Sequence, residues 1–167
     1  MNTQNKEIAT NQLIKAPELR VSHWIDKNGN QINTPIKLAD YKGKFKVIYA
    51  FQHWCPGCHK TGLPSLQKMV SELQGNENVK FLAIQTVFEG ADENTFDKII
   101  ETQKQYDLKI PFGHDDGSQN GENRSSTMID YQTGGTPWFI FIDEQDNIVF
   151  SDFHLNTDAA IEFLKTR

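Results

Sequence analysis

The sequence predicts an α/β domain built on a central mixed β-sheet flanked by helices. Three observations carry that prediction. The segments 45–52 and 79–87 carry apolar stretches with the length and composition of strands buried on both faces. Amphipathic helical patterns follow each of them. A later apolar run, 138–142, turns through Asp143-Glu144-Gln145-Asp146-Asn147 into Ile148-Val149-Phe150, which adds antiparallel strands.

The remaining elements fall in order along the chain. Residues 1–18 are polar and unpatterned, so a flexible arm is expected there and the domain is expected to span 19–167. Val21-Ser22-His23-Trp24-Ile25, the turn signal Asp26-Lys27-Asn28-Gly29-Asn30 and then Gln31-Ile32 predict an N-terminal β-hairpin. Leu38–Lys44 reads as a short helical turn that Gly43 stops. A helix starting near Cys55 meets Gly62 and Pro64, where a kink is expected, and runs on to Gln74 with Leu66, Met69, Val70 and Leu73 on one face. A second helix is predicted over 94–106, a short strand at 110–114 and a short helix at 126–131. The stretch 115–124, rich in Asp, Gly, Ser and Asn, is expected to be a mobile loop. Asn156 or Thr157 caps a last helix that ends near Lys165.

Composition narrows the function. The chain has 167 residues, enough for one domain with a sizeable core. Its 22 acidic and 17 basic residues give a formal net charge of -5, scattered without a basic block. That balance argues against nucleic acid or an anionic membrane as the main partner. The N-terminus has no apolar signal core and no run long enough to span a bilayer. A cytoplasmic location is therefore expected, or a periplasmic one if the sequence is a trimmed form.

The two cysteines occur in Trp54-Cys55-Pro56-Gly57-Cys58, directly after the first buried strand. Cysteines three apart at the start of a helix can close a disulfide within one turn, and helix-terminal N–H groups favour a thiolate on the first. Two cysteines cannot build a disulfide framework. With no second pair to complete a zinc site, no metal is expected. A second motif, Gly134-Gly135-Thr136-Pro137, precedes the strand 138–142. Proline cannot donate to a sheet ladder, so Pro137 belongs at a strand start. Both cis and trans forms of its peptide bond are compatible with the residues alone.

The ordered pieces are Asp40-Tyr41-Lys42-Gly43-Lys44, the buried strand, Trp-Cys-Pro-Gly-Cys, Gly135-Thr136-Pro137 and Phe141-Ile142-Asp143. In that order they resemble the thioredoxin superfamily, specifically its TlpA/ResA-like thiol–disulfide oxidoreductase (redoxin) branch, over about 20–167. The resemblance implies a thioredoxin-like fold with a helix–strand unit inserted into its core and a cis Pro137 facing the dithiol. It implies that Cys55 attacks a disulfide and Cys58 resolves the mixed disulfide. Trp54, Pro56, Thr136 and Pro137 would contact a disulfide-containing protein or a small thiol substrate, with Trp54 beside the first sulfur. A thioredoxin-type or glutathione system would recycle the pair, and no cofactor is needed. By the same analogy the potential is expected at roughly -250 to -150 mV.

Two departures bear on proton transfer. Where thioredoxin has a buried Asp, six residues before the first Cys, this chain has Tyr49. The Glu that follows the second Cys in many TlpA/ResA-like proteins is also missing from His59-Lys60-Thr61-Gly62. Glu89, after the second core strand, is the candidate shuttle by position. His59, next to Cys58, is the candidate for tuning a thiolate, whereas His53 reads as a surface residue. Two other readings, a thiol peroxidase and a haem-carrying electron-transfer protein, fit part of the motif. Pro56-Gly57-Cys58 resembles a peroxiredoxin site with Cys58 as the peroxidatic residue. Cys55-Pro56-Gly57-Cys58-His59 also matches a haem-attachment pattern.

Overall fold

The computed structural model describes residues 13–167. Eight strands form one mixed sheet: β1 (Ile14–Lys15), β2 (His23–Ile25), β3 (Gln31–Ile32), β4 (Phe45–Phe51), β5 (Val79–Thr86), β6 (Phe112–Asp115), β7 (Trp138–Ile142) and β8 (Asn147–Asp152). Their order across the sheet is β1-β8-β7-β4-β5-β6-β2-β3. At the centre, β4 pairs parallel with β5, from Phe45 opposite Val79 to Phe51 opposite Gln85. On its other side β4 runs antiparallel to β7, from Lys46 opposite Ile142 to Ala50 opposite Trp138. All seven residues of β4 are buried, as the apolar run Val47–Phe51 requires of a strand covered on both faces, and the buried Lys46 is paired with Asp146.

Alternation along β4 sorts the core into two layers. Val47, Tyr49 and Phe51 point into one layer, which α1 (Leu63–Glu72) and α4 (Thr157–Leu164) fill with Leu63, Leu66, Met69, Ile161 and Leu164. Ile99 of α2 (Phe96–Gln105) completes that layer. Ile48 faces the opposite layer, with Trp24, Leu38, Ile84 and Tyr131. Tyr131 ends α3 (Ser126–Tyr131). The expected mixed sheet with helices on both faces and an N-terminal hairpin is present. The inserted helix–strand unit is α2 with β6, which sets β6 between β5 and β2.

Three local expectations need correction. The arm expected over 1–18 ends inside the sheet: Ile14 and Lys15 pair with Ile148 and Asn147 of β8. The part of that expectation covering 1–12 lies outside the described residues. Gly62 and Pro64 do not interrupt the active-site helix. The chain is helical from Pro56 onward, with a π-turn over Cys58–Gly62 that leads straight into α1. Pro64 has no N–H for the carbonyl four residues back, and the N–H of Leu63 reaches the Cys58 carbonyl, five residues back.

The loop expected to be mobile at 115–124 is strapped down. The fully buried Asp115 carboxylate accepts the backbone N–H groups of Gly117, Ser126 and Thr127 and the Ser125 hydroxyl. Glu122 and Asp130 share Arg20, at 3.2 and 2.8 Å, which ties the loop to the N-terminal segment. No helix among the described residues is long and apolar enough to cross a membrane.

Candidate active site

The site lies at the carboxyl end of β4, where a strand of a parallel pair hands the chain to a helix. Gln52, His53 and Trp54 make the connection, and Cys55 stands at the helix N-cap. Its backbone N–H donates to the Gln52 carbonyl at 3.0 Å. Its Sγ accepts the backbone N–H of Cys58 at 3.2 Å, as a capping oxygen would. Pro56 occupies the first helical position, where its missing N–H costs nothing and its φ is preset. Cys55 and Cys58 are joined as a disulfide with Cα atoms 5.3 Å apart. Cys55 is half-buried, whereas Cys58 is fully buried, so only the first sulfur is open to a substrate.

The second motif meets the first. The Thr136–Pro137 peptide is cis, and the Thr136 carbonyl lies 3.7 Å from the Cys55 sulfur. Thr136 and Pro137 are both half-buried beside the sulfur. A groove of about 360 Å³ is lined by Pro137 together with Gly62, Phe139, Phe153 and His154 among others. Phe153 is 39 % exposed and packs edge-on against Trp138, with ring centroids 4.7 Å apart.

Trp54 is 45 % exposed. The expectation that it sits beside the sulfur is refined: its indole packs against Gly90 in the loop after β5, so closely that a Cβ there would fall 2.5 Å from the ring. Three buried amides brace this region. Asn94 accepts the Trp54 N–H at 3.1 Å and donates to the carbonyls of Glu89 and Gly90. Gln85 accepts the His53 N–H at 2.9 Å and donates to the Thr95 carbonyl. Gln52 accepts the N–H groups of Phe88 and Glu89. Each of the three is at least 99 % buried, so each bond forms away from competing water. Sequence reasoning missed all three. The one available signal was the presence of Gln52 and Gln85 within otherwise apolar strand runs.

The tuning candidates sit differently from their sequence positions. His59 turns away from the sulfurs: its Nε2 donates to the His53 carbonyl at 2.5 Å and its Nδ1 accepts the Tyr106 hydroxyl at 2.7 Å. Both ring nitrogens are thereby occupied, and the ring pins the active-site helix to the segment after α2. The same engagement leaves no free nitrogen for the axial ligation that the haem-attachment pattern would require. His53 donates through Nδ1 to Thr102, whose own hydroxyl donates to the Lys98 carbonyl. Burial holds the His53 ring below its usual pKa, with Lys98 adding to that effect. Glu89 is exposed, and its carboxylate makes no hydrogen bond among the described residues. Tyr49 is fully buried, and its hydroxyl donates to the Cys58 carbonyl at 3.2 Å. No carboxylate hydrogen-bonds either cysteine among the described residues.

A strand-to-helix dithiol opposite a proline loop, on a mixed sheet of this order, defines a thioredoxin-like thiol–disulfide oxidoreductase. The chain belongs to the Redoxin family, whose model matches residues 14–160. A crystal structure described as a thioredoxin-like superfamily protein is 32% identical, with TM-score 0.78, covering 92% of this chain and 95% of its own. A thiol-disulfide isomerase from Corynebacterium glutamicum is 27% identical, with TM-score 0.74, covering 90% of this chain and 95% of its own. A secreted disulfide oxidoreductase of Mycobacterium tuberculosis shares the fold at 19% identity and TM-score 0.61, covering 87% of this chain and 95% of its own. No curated protein matches the chain.

Proposed function

We propose that this protein reduces or exchanges disulfides in protein substrates through its Cys-Pro-Gly-Cys dithiol. In the reduced form the Cys55 thiolate attacks one sulfur of a substrate disulfide. A Cys55–substrate disulfide forms, and the other substrate sulfur leaves and takes a proton from solvent. Cys58 then attacks the Cys55 sulfur, its proton passing to the departing substrate thiolate. The Cys55–Cys58 disulfide closes, and two electrons have moved to the substrate. An external dithiol or glutathione system returns the pair to its reduced form.

The observation that carries this reading is the unequal placement of the two sulfurs. Cys55 is reachable, supported by the Cys58 N–H and set beside the Thr136 carbonyl, whereas Cys58 is fully buried. A peroxidatic role for Cys58 fits this arrangement poorly, because peroxide would have to reach the covered sulfur.

Insulin-disulfide reduction tests the proposal. Cys55→Ser is expected to abolish it. Cys58→Ser is expected to trap a covalent substrate adduct that a reductant releases on a non-reducing gel. Unchanged turnover by Cys55→Ser would overturn the assignment.

A further inference from the structure

The hydroxyl of Tyr49 fills a slot at the centre of the active site. It donates to the Cys58 carbonyl at 3.2 Å, and that carbonyl also accepts the Leu63 N–H that closes the π-turn. The slot exists because residue 62 is glycine. A Cβ at Gly62 would lie 2.2 Å from the Tyr49 oxygen and 2.9 Å from Cβ of Pro137. The phenol ring is fixed by Phe51, stacked at 5.7 Å, and by Phe139 at 4.9 Å. One oxygen atom thus touches the carbonyl of the resolving cysteine at the start of the π-turn, and the glycine that makes room for it also borders Pro137.

We infer that Tyr49 is a positioning residue of the dithiol, whose hydroxyl holds Cys58 so that its N–H stays directed at the Cys55 sulfur. The inference rests on the dithiol reading above. The Cys58 N–H is the hydrogen bond that the structure offers to Cys55 Sγ, at 3.2 Å. A carbonyl held by two donors fixes the rest of that residue's backbone. Burial raises the Tyr49 hydroxyl well above its ordinary pKa, so it remains a neutral donor. A carboxylate in this place could take the Cys58 proton and would repel a thiolate. The tyrosine does neither, and the proton of Cys58 is left to the departing substrate sulfur.

Tyr49→Phe removes one oxygen and keeps the ring packing. One hydrogen bond is worth about a three- to tenfold change in an equilibrium constant. Because the bond supports the thiolate form, its loss is expected to shift equilibration with glutathione about three- to tenfold toward the protein disulfide. Tenfold corresponds to about 30 mV in the reducing direction. Cys55, followed by its ultraviolet thiolate absorbance, is expected to titrate at higher pH. Gly62→Ala pushes the hydroxyl off the carbonyl and is expected to shift both quantities the same way. The double variant is expected to shift them by less than the sum, since both changes act on the same hydroxyl–carbonyl bond, while the Cβ contacts with Pro137 Cβ and Tyr49 Cε1, each 2.9 Å, remain.

A Tyr49→Phe protein with altered unfolding but unchanged potential and thiolate titration would reduce Tyr49 to a packing residue and overturn the inference. Additive effects in the double variant would also overturn it. Neither result touches the dithiol assignment, which stands or falls with Cys55→Ser.

Discussion

The side-chain carbonyl of Gln85 accepts the backbone N–H of His53 at 2.9 Å, two residues before the reactive Cys55. The same amide donates to the Thr95 carbonyl at 3.0 Å and to Nδ1 of His114 at 3.1 Å. One buried side chain therefore joins the active-site connection to the loop before α2 and to β6.

Replacing Gln85 by Leu keeps the volume roughly constant and strands the His53 N–H and the Thr95 carbonyl. Unpaired buried polar groups cost about 1–3 kcal/mol each, partly offset where water reaches them. Gln85→Leu is expected to lower stability by about 2–3 kcal/mol, read as a lower urea midpoint at unchanged slope. A loss below about 0.5 kcal/mol would mean that the brace is not holding this segment.

The bond to His114 predicts a pH dependence. Gln85 donates to Nδ1, so the imidazole must accept there and stay neutral on that nitrogen. Burial is the largest influence on His114 and lowers its pKa from the ordinary 6.5, and His23 adds to that effect. The nearby carboxylates Asp116, Asp115 and Asp97 oppose it. The folded state thus binds the proton less readily than the unfolded chain. Stability is fully present above about 6.5 and falls as the pH drops below that value toward the folded pKa. The shift at His53 has the same sign. Urea midpoints measured from pH 8 down to 5 are expected to fall for the native chain and to fall less for His114→Gln. Equal slopes for the two would remove His114 as the source.

What could be read from the sequence was local. The buried strand before Cys55 announces itself through seven consecutive residues, and the cysteine spacing places both sulfurs on one helical turn. The positions of β5, β7 and α4 followed from runs and caps of the same kind. What escaped notice depends on partners far along the chain. Gln52, Gln85 and Asn94 are ordinary polar residues until the fold brings backbone donors 32–40 residues away against them. His59 is next to Cys58 in sequence, yet helix geometry turns its ring toward Tyr106. Ile14 and Lys15 form a strand of only two residues, too short for any period to show.

Asp115 shows the same limit and carries its own prediction. Composition marks 115–124 as loose, but this carboxylate collects four donors, three from Ser125, Ser126 and Thr127 at the start of α3. Asp115→Ala leaves those donors buried and unpaired, and a loss of about 3 kcal/mol or more is expected. Asp115→Asn keeps one acceptor oxygen but turns an N–H group against another donor, so an intermediate loss is expected. Urea unfolding of both variants checks the order, and an alanine variant as stable as the asparagine one would contradict it.

Gly90 supplies the last prediction, because it seats the indole of the residue directly before the reactive cysteine. Its φ of +61° lies in the left-handed region, and a Cβ would fall 2.5 Å from the Trp54 indole. Gly90→Ala therefore adds backbone strain of about 1–2 kcal/mol and forces the indole off its seat. Trp54 immediately precedes Cys55, so displacing it alters the surface that a substrate chain meets. The expected result is a several-fold fall in kcat/KM for insulin reduction, with the glutathione equilibrium constant of the pair nearly unchanged. The sulfurs keep their own hydrogen bonds, and only substrate access is altered. Trp54→Ala is expected to reproduce the kinetic loss without the strain. If Gly90→Ala lowers stability but leaves kcat/KM intact, the indole takes no part in binding substrate.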